Sequence, residues 1–358
     1  MMPDFQKRLN AFIELGKQLN EVAVADSPDY LSPAGQALFH EISESPYRNP
    51  WFTVENVKNA ITGLSVMLEE EKMREWLKDY SIPEPGTPLK IAVVMAGNLP
   101  AVGFHDFMCV LITGNQFLGK LSGQDKDLPI KIASLLCEIE PGFSSMIEFT
   151  HDKISGFDAV IATGSNNTSR YFEYYFGRYP NIIRRNRNSI AILSGHESPS
   201  ELEALSDDIF MFFGMGCRSV SLVMIPKDYD LKLLLNSFSK WEYLKDHHKF
   251  YNNYEYQKAI LLVNNTSHYD SGFTLLKRDF SLTSPLAVLH YHMYISMDEV
   301  IDFIKNEREN IQCVVSSGNL QMNEVKKVNF GESQKPGPND YSDNINTLRF
   351  LLALNLKN

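Results

Sequence analysis

Cys217 stands in Phe213-Gly214-Met215-Gly216-Cys217-Arg218-Ser219-Val220-Ser221, between two glycines and a strand-like apolar run. A thiol in that setting suits nucleophilic catalysis. Gly214 and Gly216 permit positive φ and a close backbone approach, so the sulfur can face a cleft. Arg218 favours the thiolate, the reactive form, and the backbone N–H groups beside it can line an oxyanion site. The alternative is a buried structural cysteine, because cysteine is among the most buried residue types.

Further polar residues fall where strands end. Lys90-Ile91-Ala92-Val93-Val94-Met95-Ala96 is an apolar run broken by Gly97-Asn98-Leu99-Pro100, with a helix expected from about Val102 to Ile112. Phe117 to Ser122 reads as a second strand that delivers Lys120 and Ser122 to its carboxyl end, before a helix from Leu128 to Ile139. Met146–Phe149 and Ala159–Thr163 read as the third and fourth strands, the last turning through Gly164-Ser165 into a helix near Thr168. Strands alternating with helices predict a parallel, doubly wound sheet, whose ligands bind beyond the carboxyl ends of the strands.

The remaining segments frame this unit. Leu9, Phe12, Ile13, Leu15 and Leu19 recur near helical spacing from Phe5 to Val22. Thr53 caps a second helix with Val57, Ile61, Leu64, Met67 and Leu68 along one face, and Ile82 to Pro88 is too rich in proline to continue a helix. Downstream, strands are expected at 190–193, 219–225, 259–263, 286–294 and 311–316, and helices at 199–213, 231–244, 297–305 and 345–354. The expected division is 1–85 helical region, 86–205 cofactor domain, 206–325 catalytic domain and 326–358 closing loop and helix.

With 358 residues the chain exceeds one ordinary hydrophobic core. A net charge of -10 argues against a general nucleic-acid binder, which needs a basic face, and leaves room only for a local basic patch. Cys109, Cys137, Cys217 and Cys313 are too few and too scattered for a disulfide framework or a zinc site, which fits a reducing cytoplasm. No apolar run approaches the roughly 20 residues of a membrane span.

Met95-Ala96-Gly97-Asn98-Leu99-Pro100, Gly119-Lys120-Leu121-Ser122, Ala162-Thr163-Gly164-Ser165 and Gly214-Met215-Gly216-Cys217 come in the order found in the aldehyde dehydrogenase superfamily. The sequence resembles above all its acyl-CoA reductase branch, the LuxC-like reductases. The resemblance implies an α/β fold of two doubly wound domains, a parallel-sheet cofactor domain and an N-terminal helical region. It implies NADPH-dependent reduction of an acyl-CoA, most naturally a fatty one, to the aldehyde with release of coenzyme A. Cys217 resembles the nucleophile that holds the acyl group as a thioester. Asn98 resembles the oxyanion donor, paired with the Cys217 N–H; as a strand-end asparagine it could instead cap the next helix. Lys120 is similar to the lysine that contacts the adenosine ribose, with Ser122 nearby, and is otherwise a solvated charge. Gly97, Thr163, Gly164 and Ser165 would let the cofactor approach, the last three at a helix start that also reads as a plain cap.

Two departures stand out. The water-activating glutamate of hydrolytic members would fall near Ile183-Arg184-Arg185-Asn186-Arg187, which holds no carboxylate. That loss suits reduction, and the three arginines could meet anionic cofactor or coenzyme A phosphates, or form a solvated basic turn. Asp279 stands only loosely where the family keeps a nicotinamide-ribose glutamate. His105-Asp106 reads as a pair, in the cleft or purely structural. His290 and His292 share a strand face without a third ligand, so no metal is expected, and His247-His248 reads as solvent-facing. A homo-oligomer served by acyl-transferring partner enzymes is also expected. Rival readings are reduction of an acyl phosphate or another thioester, and a noncatalytic binding or assembly protein on the same scaffold.

Overall fold

The computed structural model describes residues 2–84, 86–318 and 325–356. Met1, residues 319–324 and 357–358, and Pro85, where the first domain is expected to end, lie outside the described residues. The chain forms two compact units: one runs to Arg185 and resumes at Lys335, the other is Asn186–Gln334.

Four helices open the first unit: α1 (Phe5–Val24), α2 (Pro33–Arg48), α3 (Val54–Met67) and α4 (Glu70–Leu77). Local chemistry starts the first three, because the side chains of Asp4, Ser32 and Thr53 accept the backbone N–H three residues on. The periodic face of α1 is buried as expected, with Phe12, Leu15 and Leu19 at 0% exposure. Gly16 lets α1 lie close on the end of α3: a Cβ there would sit 2.7 Å from the Leu68 Cβ. Arg8 is buried too, its guanidinium held by the Ile112 and Pro3 carbonyls and by Glu84.

The first sheet comprises β1 (Lys90–Val94), β2 (Gln116–Lys120), β3 (Ile147–Thr150), β4 (Ala159–Thr163) and β5 (Asn181–Arg184), in the order β3-β2-β1-β4-β5. Every pairing is parallel. The central strands are continuous apolar runs, as a sheet covered on both faces requires. Helices α5 (Phe104–Ile112), α6 (Leu128–Ile139) and α7 (Asn166–Phe176) connect them. Growth of the sheet reverses at β1, with β2 on one side and β4 on the other, so the topological switch point lies between β1 and β4.

The second sheet comprises β6 (Asn188–Ile192), β7 (Val220–Pro226), β8 (His268–Asp270), β9 (Leu275–Arg278), β10 (Val288–Tyr294), β11 (Ile311–Val315) and β12 (Lys327–Val328). Its order is β12-β11-β6-β7-β10-β9-β8, parallel except for the antiparallel edge strand β8. The helices are α8 (Pro199–Phe210), α9 (Leu231–Asn236), α10 (His248–Val263) and α11 (Met297–Glu307). Ile190, Ile192, Leu222, Met224, Ile311 and Val314 belong to one core cluster of this unit.

The last helix, α12 (Thr347–Asn355), packs back on the first unit, burying Leu348 and Leu351 in the cluster that holds α1 and α5. Tyr341 receives the Trp76 indole N–H at 2.7 Å, and the Asn346 amide donates to Tyr80.

Five expectations change. The strand at 190–193 belongs to the second sheet, where β6 pairs with both β7 and β11, and the units divide between Arg185 and Asn186, upstream of 205/206. Residues 335–356 rejoin the first unit and do not follow as a separate segment. Ala259–Val263 is the end of α10, not a strand: Leu261 is buried while Leu262 and Val263 are exposed, a helical pattern that a short Ile-Leu-Leu-Val run cannot reveal by itself. The helix expected to reach 213 ends at Phe210, because Phe212, Phe213 and Gly214 all turn left-handed, at φ 54°, 60° and 72°.

Candidate active site

In the first unit the expected cofactor residues gather at the carboxyl ends of β1, β2 and β4. Val94 lies level with Lys120 and with Ala162, so the loops that follow leave the sheet side by side. Gly97 is buried against the β2 loop: a Cβ would meet the Ser122 Oγ and sit 2.6 Å from its Cβ and 3.2 Å from the Asp125 nitrogen. Asn98 is exposed. The N-cap of α5 is Gly103, without a side-chain bond.

Lys120 is half-buried and its ammonium donates to the His151 carbonyl at the end of β3. It is therefore not simply a solvated charge. Ser122 is half-buried, and its hydroxyl accepts the Gln124 N–H. Thr163 ends β4, and a Cβ on Gly164 would sit 2.9 Å from the Phe172 ring, so α7 starts tightly against that turn. Ser165 is the N-cap of α7, its hydroxyl accepting the Thr168 N–H at 3.2 Å. The capping reading thus holds for the Ser165 side chain, while the first turn of α7 presents a helix N-terminus at the switch point.

Sequence reasoning missed Asp125. It is 5% exposed, and its carboxylate accepts the Ala101 N–H at 2.7 Å. Burial pushes its pKa up to about 7, against the pull of that hydrogen bond. An acidic residue just after the β2 strand end was the available signal.

The arginine and histidine expectations are corrected. Arg184 is buried on β5, making two hydrogen bonds to Asp106, at 2.5 and 2.8 Å, and one to Thr347. Burial works against its charge, but Asp106 more than offsets it and the guanidinium pKa is raised. Arg184 is thus a structural partner and not a phosphate ligand. Arg185 pairs with Glu173, and Arg187 donates to the Ile311 carbonyl within the second unit. The His105 Nε2 donates to the Pro338 carbonyl, and Asp106 serves Arg184.

In the second unit, Cys217 is exposed, whereas Cys109 and Cys313 are buried and Cys137 is half-buried. Its turn is built from strain: two buried phenylalanines hold left-handed backbone that non-glycine residues rarely adopt. Phe213 is held in part by His247, whose ring lies 4.4 Å away and whose Nδ1 accepts the Phe250 N–H at the start of α10. His247 is therefore half-buried structure, not a solvent-facing residue. The Ser219 hydroxyl accepts the Gly216 N–H, and the Ser219 N–H returns to the Gly216 carbonyl.

Below the turn runs a second feature the sequence did not disclose. The Ser189 hydroxyl on β6 donates to the Cys217 carbonyl at 3.0 Å and lies 3.1 Å from the Cys313 sulfur on β11. Burial pushes the Cys313 thiol up, Arg218 and Ser189 oppose that rise, and Cys217 adds to it. Asp208 on α8 accepts the Gly331 and Ser333 N–H groups, and burial lifts its pKa to about 6.

Asp279 is half-buried and bound to Lys277 and Ser281, which hold its carboxylate well below the usual range. His290 donates from Nδ1 to the Ser281 carbonyl, and His292 bonds Glu299 while stacking on Phe280. Among the described residues no group of three His, Cys, Asp or Glu side chains could hold a metal ion. Nor is any described helix long and apolar enough to cross a membrane.

No model of a protein family matches the sequence, and no curated protein matches it. Solved structures do. Aldehyde dehydrogenase 21 of Physcomitrella patens, in complex with succinate, superposes with a TM-score of 0.68 at 11% identity over 98% of this chain and 84% of that one. An aldehyde dehydrogenase C mutant of Pseudomonas syringae, in complex with NAD+ and octanal, gives 0.62 at 12% identity over 91% and 76%. Proline utilization A of Corynebacterium freiburgense gives 0.59 at 14% identity; this chain covers only 38% of its length, with 88% of itself aligned. The architecture of this chain is that of the aldehyde dehydrogenases.

Proposed function

We propose that the protein is a nicotinamide-dependent reductase that converts an acyl-CoA, of fatty type, to the aldehyde and coenzyme A through a thioester on Cys217. The observation that carries this reading is the exposed Cys217 thiol on a strained turn ahead of β7, next to Arg218. Strain of this kind persists where surrounding structure enforces it, and it clusters at functional sites.

Cys217, as thiolate, attacks the acyl carbon and forms a new carbon–sulfur bond. The carbonyl electrons move to oxygen; the donors proposed for it are the Cys217 N–H and the Asn98 amide. Collapse breaks the bond to coenzyme A, whose thiolate takes a proton from solvent, and the acyl group stays on Cys217. A bound NADPH would supply one hydride for the acyl carbon, and the electrons of the carbon–sulfur bond would return to Cys217 as the aldehyde leaves.

The residues present fit a dinucleotide. The α7 N-terminus lies at the switch point, Gly97 lets the β1 and β2 loops pack closely beside it, and Lys120 supplies a charge at the end of β2. Gly97, Lys120, Ser122, Thr163, Gly164 and Ser165 are the residues proposed to hold the cofactor. Solved neighbours bound to NAD+ support a nicotinamide; NADPH is the choice of this reading, for the charge of Lys120. Residues 183–187 carry no carboxylate, and Arg184 there is locked to Asp106, which favours hydride transfer over attack by water. We place the enzyme in the cytoplasm, as a homo-oligomer that receives acyl groups from transferring partners.

The test is stoichiometry. With a long-chain acyl-CoA and NADPH, one coenzyme A thiol should appear per NADPH oxidised, and an acyl phosphate should be the poorer substrate. Preferred turnover of the acyl phosphate, or aldehyde oxidation without any acyl-CoA reduction, would reject the reading.

A further inference from the structure

The two loops that leave β1 and β2 are joined by one buried carboxylate. Asp125 accepts the Ala101 N–H at 2.7 Å, and its own N–H reaches the Ser122 carbonyl. Ala101 is 5% exposed and stands at φ 57°, a left-handed conformation that an alanine keeps only when its surroundings hold it there. Between the two contacts lies Asn98, on a turn whose first residue, Gly97, is pressed against Ser122.

We propose that Asp125 is a positioning residue, which fixes the Gly97–Ala101 turn through the Ala101 amide and so sets where the Asn98 side chain is presented. The proposal rests on the reductase reading for its catalytic consequence only; the mechanical link between the loops stands apart from it.

The groups facing Asp125 make the link responsive to pH. Glu41 on α2 and Asp127 on the same loop both disfavour a second negative charge, and the Ala101 N–H favours it. Arg48 on α2 bonds Glu41 at 2.6 Å and Asp127 at 3.0 Å, so it neutralises these neighbours instead of Asp125 itself. Asn49 donates to the Gln124 carbonyl and ties the end of α2 to the same loop. With its pKa at about 7, Asp125 changes charge in the working range of most enzymes. A hydrogen bond to a carboxylate is stronger than one to a neutral carboxylic acid. The turn therefore tightens as pH rises through 7.

The experiment compares the full chain with Asp125→Asn and Asp125→Ala. Hydrogen exchange is read on peptides spanning 96–104 at pH about 6 and about 8, corrected for intrinsic exchange, and steady-state kinetics are run over the same range. In the unmodified chain, protection of the turn should rise several-fold, up to about tenfold, between the two conditions, in line with the roughly doubled strength of a charged bond. Asp125→Asn should hold protection nearly constant with pH, and Asp125→Ala should lower it at both. Where turnover is measured, kcat should fall in Asp125→Asn with little change in the KM for cofactor. Equal pH dependence of protection in the unmodified chain and Asp125→Asn would overturn the proposal, and the Asn variant decides if the Ala variant does not fold. Exchange needs no substrate, so an inactive unmodified chain would sink the reductase reading alone, whereas unchanged exchange in an active enzyme would sink the role of Asp125 alone.

Discussion

The Ser189 hydroxyl holds the carbonyl of Cys217 at 3.0 Å, so the peptide carrying the proposed nucleophile is anchored to the buried strand β6 beneath it. Ser189 has 0% exposure and one hydroxyl proton, which that carbonyl receives. Ser189→Ala leaves the carbonyl without its donor. The expected cost is ~1 kcal/mol in urea unfolding, with a larger loss in kcat than in KM for the acyl substrate. Unchanged kcat would show that the bond serves folding only.

Thiol reactivity should rank by exposure. A short iodoacetamide pulse at neutral pH, mapped by peptide mass, should label Cys217 first and leave Cys109 and Cys313 unlabelled until the chain unfolds. Burial is the first cause of the raised pKa of both protected thiols. Early labelling of Cys313 would contradict the packing of β11.

The Arg184–Asp106 pair should behave as a buried structural bridge. Removing one partner strands the other charge, so Asp106→Asn should cost about 3–5 kcal/mol. Cofactor affinity of the folded variant should stay within about twofold of the original, a shift of under ~0.5 kcal/mol. A phosphate-binding Arg184 would give the reverse, with small stability loss and large affinity loss.

Asp208 gives a signed pH dependence. Its pKa is raised by burial from the usual carboxylate value to about 6 in the folded chain. Between those values the native state holds a proton that the unfolded state has released, so its contribution to stability declines as pH rises toward 6 and then levels off. Asp208→Asn should flatten the stability profile over that window relative to the unmodified chain, as measured by urea unfolding at several pH values. A profile with the same slope in both would show that the carboxyl is ionised throughout.

Much of the first sheet was legible in the sequence because β1, β2 and β4 are apolar runs soon followed by glycine and then a helix, whereas β3 passes to β4 without one and β5 was not expected. The expectation at Lys90–Ala96 matches β1, and that at Ala159–Thr163 matches β4. What failed to read was short or ambiguous. β8 and β9 are brief, and the Ile-Leu-Leu-Val run at the end of α10 carries no period of its own. β6 looked like a member of the first sheet because strand signals do not say which sheet they join.

Candidate site residues stand out where chemistry marks the chain, as with Cys217 after two glycines and Asn98 after a strand. Asp125, Ser189 and Asp208 act through backbone groups far away in sequence, at separations of 24 residues for Ala101, 28 for Cys217 and 123 for Gly331. No local pattern encodes such bonds. Arg184 misled for the opposite reason: three arginines in a row of five look like an anion site, while the pleat of β5 turns one of them into the core.

Intact mass after incubation with an acyl-CoA, without reductant, tests the central claim most directly. The account predicts one acyl adduct per chain with release of one coenzyme A, and no adduct in a folded Cys217→Ala variant. An adduct that survives Cys217→Ala, or none on the unmodified chain, would contradict it.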